Sequence, residues 1–310
     1  MESVKAQVFC SSANLGPGFD ILGLCLDIFS ESVTAKRGSD SDSIVEITGE
    51  NIPKDPKLNS AGLSAINIMQ YYHIEENISL EIEKNIPSGF GLGSSGASSS
   101  ATVCALDKLF ELEMTPDQKI FFAGSGEKAV SGTPHFDNAS ASILGGYTMV
   151  TALDPFHAIN LRNETKFEFG VIMPNINIEK KTMISRQLLP KFIPFTIHMD
   201  SSRYLASLVT GITNDDENLI GDGMNDPIVE KSREKMYEFY RELKAEILQA
   251  GAYGVCLSGA GPSVLVISDG HINSDLNDIT ASVMDSYNLD FDILRGKIGR
   301  GVEIEGKILQ

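Results

Sequence analysis

The stretch that most limits the fold is ISLEIEKNIPSGFGLGSSGASSSATVCALDKLFEL, residues 78–112, where an alternating segment runs into a glycine loop and then a helix. Ile78, Leu80 and Ile82 fall on one face of an extended chain, and Ser79, Glu81 and Glu83 on the other. That is the pattern of a strand with one dry and one wet face. A strand inside a doubly wound parallel sheet is covered on both faces and reads as almost wholly apolar. An α+β arrangement is therefore expected. Residues 94–112 are expected to be helical, with small residues in the first turns and an amphipathic end, CALDKLFEL.

The loop contains G-x-G-x-x-G at Gly91, Gly93 and Gly96. A dinucleotide fingerprint needs an apolar strand before it and an acidic residue ~20 positions later. The nearest acid, Asp107, falls within the expected helix. The phosphate loop G-x-x-x-x-G-K-[ST] does not occur in the chain. What remains is a glycine-serine loop feeding a helix N-terminus, where free amides and the helix dipole bind anions without a lysine. Ser94 and Ser95 add hydroxyls that can cap the helix, bond a phosphate oxygen or ligate a hard cation. A plainer alternative is a serine-rich cap with close packing at Ala97, Ser98 and Ala101.

Further elements follow from periodicity and punctuation. Residues 1–10 and 44–48 read as strands, and 59–73 as a helix carrying Leu63, Ile66, Met69 and Tyr72. Pro116 opens a helix near 117–129, and short strands are expected at 146–151 and 167–173. Helices dominate 195–250, the clearest being PIVEKSREKMYEFYRELKAEILQAG with Gly251 as its stop. The chain ends in strands YGVCLS and SVLVIS, a helix near 273–286, and strands near 290–297 and 301–305.

A net charge of −17 argues against nucleic acid as a partner. An anionic substrate would then need a local basic pocket, which directs attention to individual arginines. Cys10, Cys25, Cys104 and Cys256 form no C-x-x-C pair, so no zinc site or disulfide framework is expected. No apolar run approaches the ~20 residues of a membrane span. The expected setting is cytoplasmic, with no membrane partner.

The segment PSGFGLGSSGA is similar to the P-x-x-x-G-L-G-S-S-[GA]-A loop of GHMP kinases. SSANLGPGFDILGLCLD (11–27) and GVCLSGAGPSVLVI (254–267) resemble the terminal motifs of the branch of that family that phosphorylates homoserine. GEKAVSGTPHFDNASASILGG (126–146) resembles its central block. The resemblance runs from residue 4 to about residue 305. It implies an N-terminal domain (1–160) like ribosomal protein S5 domain 2 and a ferredoxin-like C-terminal domain (161–310), with the nucleotide between them. The implied reaction converts ATP and L-homoserine to ADP and O-phospho-L-homoserine, in threonine biosynthesis.

The resemblance also implies residue roles. ATP would lie on Pro87, Ser88, Gly89, Phe90, Gly91, Leu92, Gly93, Ser94, Ser95, Gly96 and Ala97, with Asn59 near the adenine. Mg²⁺ would be held by Ser95 and Glu127. Homoserine would meet Asn14, Asp20, His135, Asn138, Arg186, Arg233 and Gly259. The catalytic set would be Asn138, Arg186 and Thr182, without a dedicated carboxylate base, because the position that carries an aspartate in several GHMP kinases is Asn138 here. Taken singly, Glu127 also reads as an exposed helix glutamate, Asn14 and Gly259 as turn residues, Arg233 as a solvated helix face and His135 as structural. A mevalonate-type kinase and a non-catalytic metabolite sensor of the same fold stay open, as does the oligomeric state, with a homodimer as candidate.

Overall fold

The protein is described by a computed structural model covering residues 2–38, 44–176, 178, 181–304 and 307–308. Two sheets organise it. The first joins β1 (Ser3–Ala13), β2 (Leu22–Arg37), β3 (Val45–Thr48), β4 (Ile78–Glu83), β5 (Tyr147–Leu153) and β6 (Phe156–Arg162). The second holds β7 (Glu168–Pro174), β8 (Gly254–Leu257), β9 (Val264–Ser268) and β10 (Phe291–Gly296), in the order β10-β7-β9-β8 and antiparallel throughout. The chain end then returns to the first sheet as β11 (Glu303–Ile304) and β12 (Lys307–Ile308), with β11 beside β1. In the first sheet β3 and β4 pair in parallel, and the other pairs are antiparallel.

The helices in chain order are α1 (Ser60–Tyr71), α2 (Ser94–Phe110), α3 (Pro116–Gly126), α4 (Lys128–Ser131), α5 (Phe136–Leu144), α6 (Lys181–Gln187), α7 (Phe195–Asn214), α8 (Glu217–Gly223), α9 (Val229–Arg233), α10 (Tyr240–Gln249) and α11 (Leu276–Ser286). The loop helix α2 lies at the centre, packed on β1, β2, α1, α3 and α5. Its Gly96, Ala97, Ser98, Ser99, Ser100 and Ala101 are all buried. Small side chains let neighbours approach the helix from every side, which is why its first turns show no apolar stripe.

β4 buries Ile78, Leu80 and Ile82 and leaves Glu81 and Glu83 exposed, as the alternation predicts. In the second sheet the same period of two separates two cores. Phe169, Val171, Cys256, Leu265 and Ile267 face the core shared with the first sheet. Ile172, Val255, Leu257, Val264 and Val266 face α10 and α11.

Three expectations need correction. α1 turns Ala61, Ser64, Ala65 and Ile68 inward, whereas Leu63, Ile66 and Tyr72 are only partly buried. The single helix expected over the PIVEK–LQAG stretch is two, α9 and α10, parted at Glu234–Phe239. Tyr237 and Phe239 are both fully buried, and side chains two apart cannot share a helix face, so the chain turns there. The strands β2 and β6 and helix α5 were not among the expected elements.

Candidate active site

A cavity of about 580 Å³ lies between the glycine loop, α4, α6 and the Ser258–Ser263 turn. Its loop end is built almost wholly of backbone. Gly93 is the N-cap of α2, in the left-handed region at φ 66°, and no side chain caps this helix end. The serine-cap alternative therefore does not describe this helix, whose first-turn amides have no intrahelical partner. A β-carbon on Gly93 would collide with Ser11 Oγ and come within 2.8 Å of Asn138 Oδ1.

Every carbonyl from Gly89 to Ser94 is engaged by the protein. Gly89 O accepts from Lys181 Nζ (2.6 Å), Phe90 O from Ser263 N (3.3 Å), and Gly91 O from Ser258 Oγ (2.8 Å). Leu92 O accepts from Ser11 N (3.2 Å), Gly93 O from Ala97 N (2.8 Å), and Ser94 O from Lys84 Nζ (2.8 Å). In a trans peptide the C=O and the next N–H point in opposite directions. Pinning six carbonyls therefore fixes the opposing amides, an arrangement able to hold an anion. Two lysines do serve the loop, but they bind its carbonyls.

Ser94 and Ser95 have different partners. Ser94 Oγ donates to Ile86 O at 2.8 Å, a structural bond, while Ser95 Oγ donates to Glu127 Oε2 at 3.0 Å. Glu127 is 3% exposed, so it is not a solvated helix glutamate. Gly96 makes room for it, since a β-carbon there would lie 2.7 Å from Glu127 Oε1. A hydroxyl and a carboxylate converging at the mouth of an anion cradle are the hard oxygen donors that Mg²⁺ takes alongside phosphate and water. His135 Nδ1 lies 3.2 Å from Glu127 Oε2. Burial, the largest single influence, opposes the charged His135 ring, but the hydrogen bond to Glu127 and the charges of Glu127 and Asp137 together outweigh it and the net shift is upward.

The other end is made of side chains. Asn14 Nδ2 donates to Gly259 O (2.9 Å), and its Oδ1 accepts from Asp20 N (3.2 Å). Arg186 Nη2 contacts both oxygens of Asp20, at 2.7 and 3.0 Å. Arg233 is 3% exposed rather than solvated, and its Nη1 donates to Gly259 O at 2.8 Å. Phe19 lies under both guanidinium groups, 5.1 Å from Arg186 and 5.7 Å from Arg233. Between the two ends, Asn138 Oδ1 accepts from Ser11 Oγ (2.9 Å), and Asp137 Oδ1 accepts from Asn138 N (2.8 Å). Burial, reinforced by the charge of Asp20, holds the Asp137 carboxyl well above the usual carboxylate range.

The cavity thus gathers Asn14, Asp20, His135, Asn138, Thr182, Arg186, Arg233, Gly259, Ser95 and Glu127 with most of the loop. Phe90, Gly96 and Ala97 support the loop without lining the cavity. Asn59 does not line it either: its Oδ1 caps α1 through Ala61 N (3.0 Å) and its Nδ2 donates to Pro53 O (2.9 Å). Ser11, Phe19, Lys84 and Lys181 were not foreseen. Ser11 and Phe19 both sit inside the SSANLGPGFD segment, so their place in that motif was the available hint.

Two family models match, GHMP kinases N terminal domain over residues 60–146 and GHMP kinases C terminal over residues 208–282. The homoserine kinase of Thermoplasma acidophilum is 42% identical over 306 residues, covering 98% of this chain and 97% of that protein. The chain belongs to the homoserine kinase family of GHMP kinases. The homoserine kinase of Saccharolobus solfataricus is 36% identical over 312 residues, covering 99% of this chain and 100% of its own length. The crystal structure of homoserine kinase from Cytophaga hutchinsonii superposes with a TM-score of 0.88 at 29% identity, with 98% of each chain covered. The family is a kinase family, and kinases use ATP. Among the described residues no helix is long and apolar enough to cross a membrane.

Proposed function

We propose that the protein transfers the γ-phosphoryl group of ATP to the hydroxyl of L-homoserine, with Mg²⁺ held by Ser95 and Glu127. The observation that carries this reading is the pairing of two unlike recognition sites in one cavity. One is an anion cradle of backbone amides beside a hydroxyl–carboxylate pair. The other sets one carboxylate, Asp20, against two arginines, which suits the zwitterion of an amino acid.

In this reading the Phe90–Ser95 amides hold the phosphate tail. Asp20 receives the substrate ammonium, and Arg186 and Arg233 its carboxylate. Asn14 fixes the Asp20 and Gly259 backbone, and Thr182 closes the cavity from α6. When bound, the cation neutralises charge on the phosphate oxygens. Asn138 orients the hydroxyl; an amide cannot take its proton. Asp137 locks the Asn138 backbone rather than acting as base, since a loose transition state leaves an early base dispensable. The four cysteines are buried and unpaired, which suits a reducing, cytoplasmic setting.

A coupled ADP-release assay with L-homoserine, mevalonate and other alcohols tests this. Homoserine is expected to turn over and mevalonate not, because mevalonate has no ammonium for Asp20. Asn138→Ala is expected to lower kcat by about 100-fold, and Asp137→Asn by less than about tenfold. Abolished turnover in a folded Asp137→Asn variant would refute the base-free mechanism.

A further inference from the structure

Lys181 is a buried amine whose place is not explained by substrate recognition. It opens α6, is 8% exposed and lines the cavity. Its Nζ donates to Gly89 O at 2.6 Å and also to Gly261 O. Three segments far apart in sequence thus meet at one nitrogen: the phosphate loop, the C-terminal glycine turn, and the helix that carries Thr182 and Arg186. Among the described residues no carboxylate pairs with it.

The charged and titratable groups around it explain why this matters. The loop segment 87–93 and the turn 258–263 contribute none. α9 contributes Arg233, a like charge. Tyr237, from the turn after α9, donates its hydroxyl to Ala260 O at 2.6 Å and packs against Gly261. On α6 itself Arg186 is already bound to Asp20. An ammonium has three donors; two are met by neutral carbonyls, and a buried charge without an anion is costly.

We infer that Lys181 is a positioning residue for phosphoryl transfer: from the first turn of α6 it pins the phosphate loop to the Ser258–Ser263 turn, and the nucleotide's anionic tail supplies the negative charge that stabilises the protonated form of this buried amine. The inference rests on the ATP-dependent reading above. Its electrostatic setting agrees, since burial and then Arg233 push the amine down to about 7. At pH 8 the nucleotide-free amine is mostly neutral, and an arriving polyanion favours its protonation. Nucleotide binding at that pH is therefore accompanied by proton uptake. Asp137 also titrates above the usual range, so the difference between wild type and variant is the relevant quantity.

The test is calorimetric titration of a non-hydrolysable ATP analogue with Mg²⁺ at pH 8, in buffers of different ionisation enthalpy, on wild type, Lys181→Met and Lys181→Arg. Steady-state kinetics and thermal melts accompany it. Wild type is expected to take up most of one proton. Lys181→Met is expected to lose that uptake and to fall at least about tenfold in kcat/KM for ATP. Lys181→Arg, which keeps the charge but cannot titrate, is expected to lose the uptake and recover part of the kcat/KM. If Lys181→Met does not fold, the arginine variant carries the proton count alone. Equal proton uptake in wild type and variant, no uptake in wild type, or a kcat/KM for ATP within twofold of wild type in Lys181→Met would overturn the inference. Wild type that binds nucleotide yet leaves L-homoserine unphosphorylated would defeat the functional reading instead, and the proton count would still decide the role of Lys181.

Discussion

At the loop end of the cavity the recognising groups belong to the main chain, whereas at the Arg233 end they are side chains gathered from residues 14 to 233 around the Gly259 carbonyl. A backbone site offers no recognising side chain to trim, although the side chains that pin its carbonyls, Lys181 among them, can be removed. It is altered by forcing a β-carbon or a new dihedral angle into the loop. A side-chain site loses one interaction at a time, and each loss is graded. The loop end is also held rigid by six pinned carbonyls, while Arg186 and Asp20 at the other end are partly exposed and paired with each other. The difference suits the two ligands of the proposed function: a polyphosphate common to many kinases, and a small amino acid that must be distinguished from similar alcohols.

Substitutions at the two ends should therefore differ in kind. The largest effect is expected for Gly93→Ala, which forces a β-carbon against Ser11 and Asn138 in a left-handed conformation. We expect kcat/KM for ATP to drop about a thousandfold, read in a coupled assay with a melt to confirm folding. Next is Glu127→Gln, expected to lower kcat about a hundredfold and to move the Mg²⁺ titration to higher concentration, because one of two protein oxygens loses its charge. Arg233→Met should raise KM for homoserine roughly 10- to 100-fold with a smaller change in kcat, the loss of a charge-assisted contact. If Arg233→Met instead changed KM for ATP and left that for homoserine alone, the division of the cavity would be wrong.

The smallest effect concerns stability. Burial depresses the Lys181 amine to about 7 in the folded chain, against about 10.4 when unfolded. Between those values the unfolded chain binds one more proton, so this residue makes stability rise with pH, and lowers it as pH falls toward 7. The slope it adds is about 1.4 kcal/mol per pH unit at most. Urea unfolding at pH 7.5 and 9.5 should show a shallower pH dependence in Lys181→Met than in wild type.

The same contrast governs what could be read from the sequence. The loop, its strand and its helix were legible because glycine spacing and period-two alternation are local signals. The Ser95–Glu127 pair and the residues around Asp20 were reached through motif resemblance, since nothing local shows that Asn14, Arg186 and Arg233 meet. β2 escaped because LGLCLDIFS is buried on successive residues at its start and bulges against β1 between Phe9 and Cys10. That removes the alternation. Lys181 escaped because EKKT reads as a solvated run, and its burial depends on carbonyls from residues 89 and 261. Asn59, expected near the adenine, acts as a helix cap, which its place before SAGL allowed from the start.

In the proposed function, main-chain amides of the glycine loop grip the phosphate tail. A crystal structure with Mg²⁺, a non-hydrolysable ATP analogue and L-homoserine tests it most directly. The β- and γ-phosphate oxygens are expected within hydrogen-bond distance of amides in the Phe90–Ser95 run, with all six carbonyls still bound as described. A triphosphate held mainly by side chains, or lying away from that loop, would contradict it.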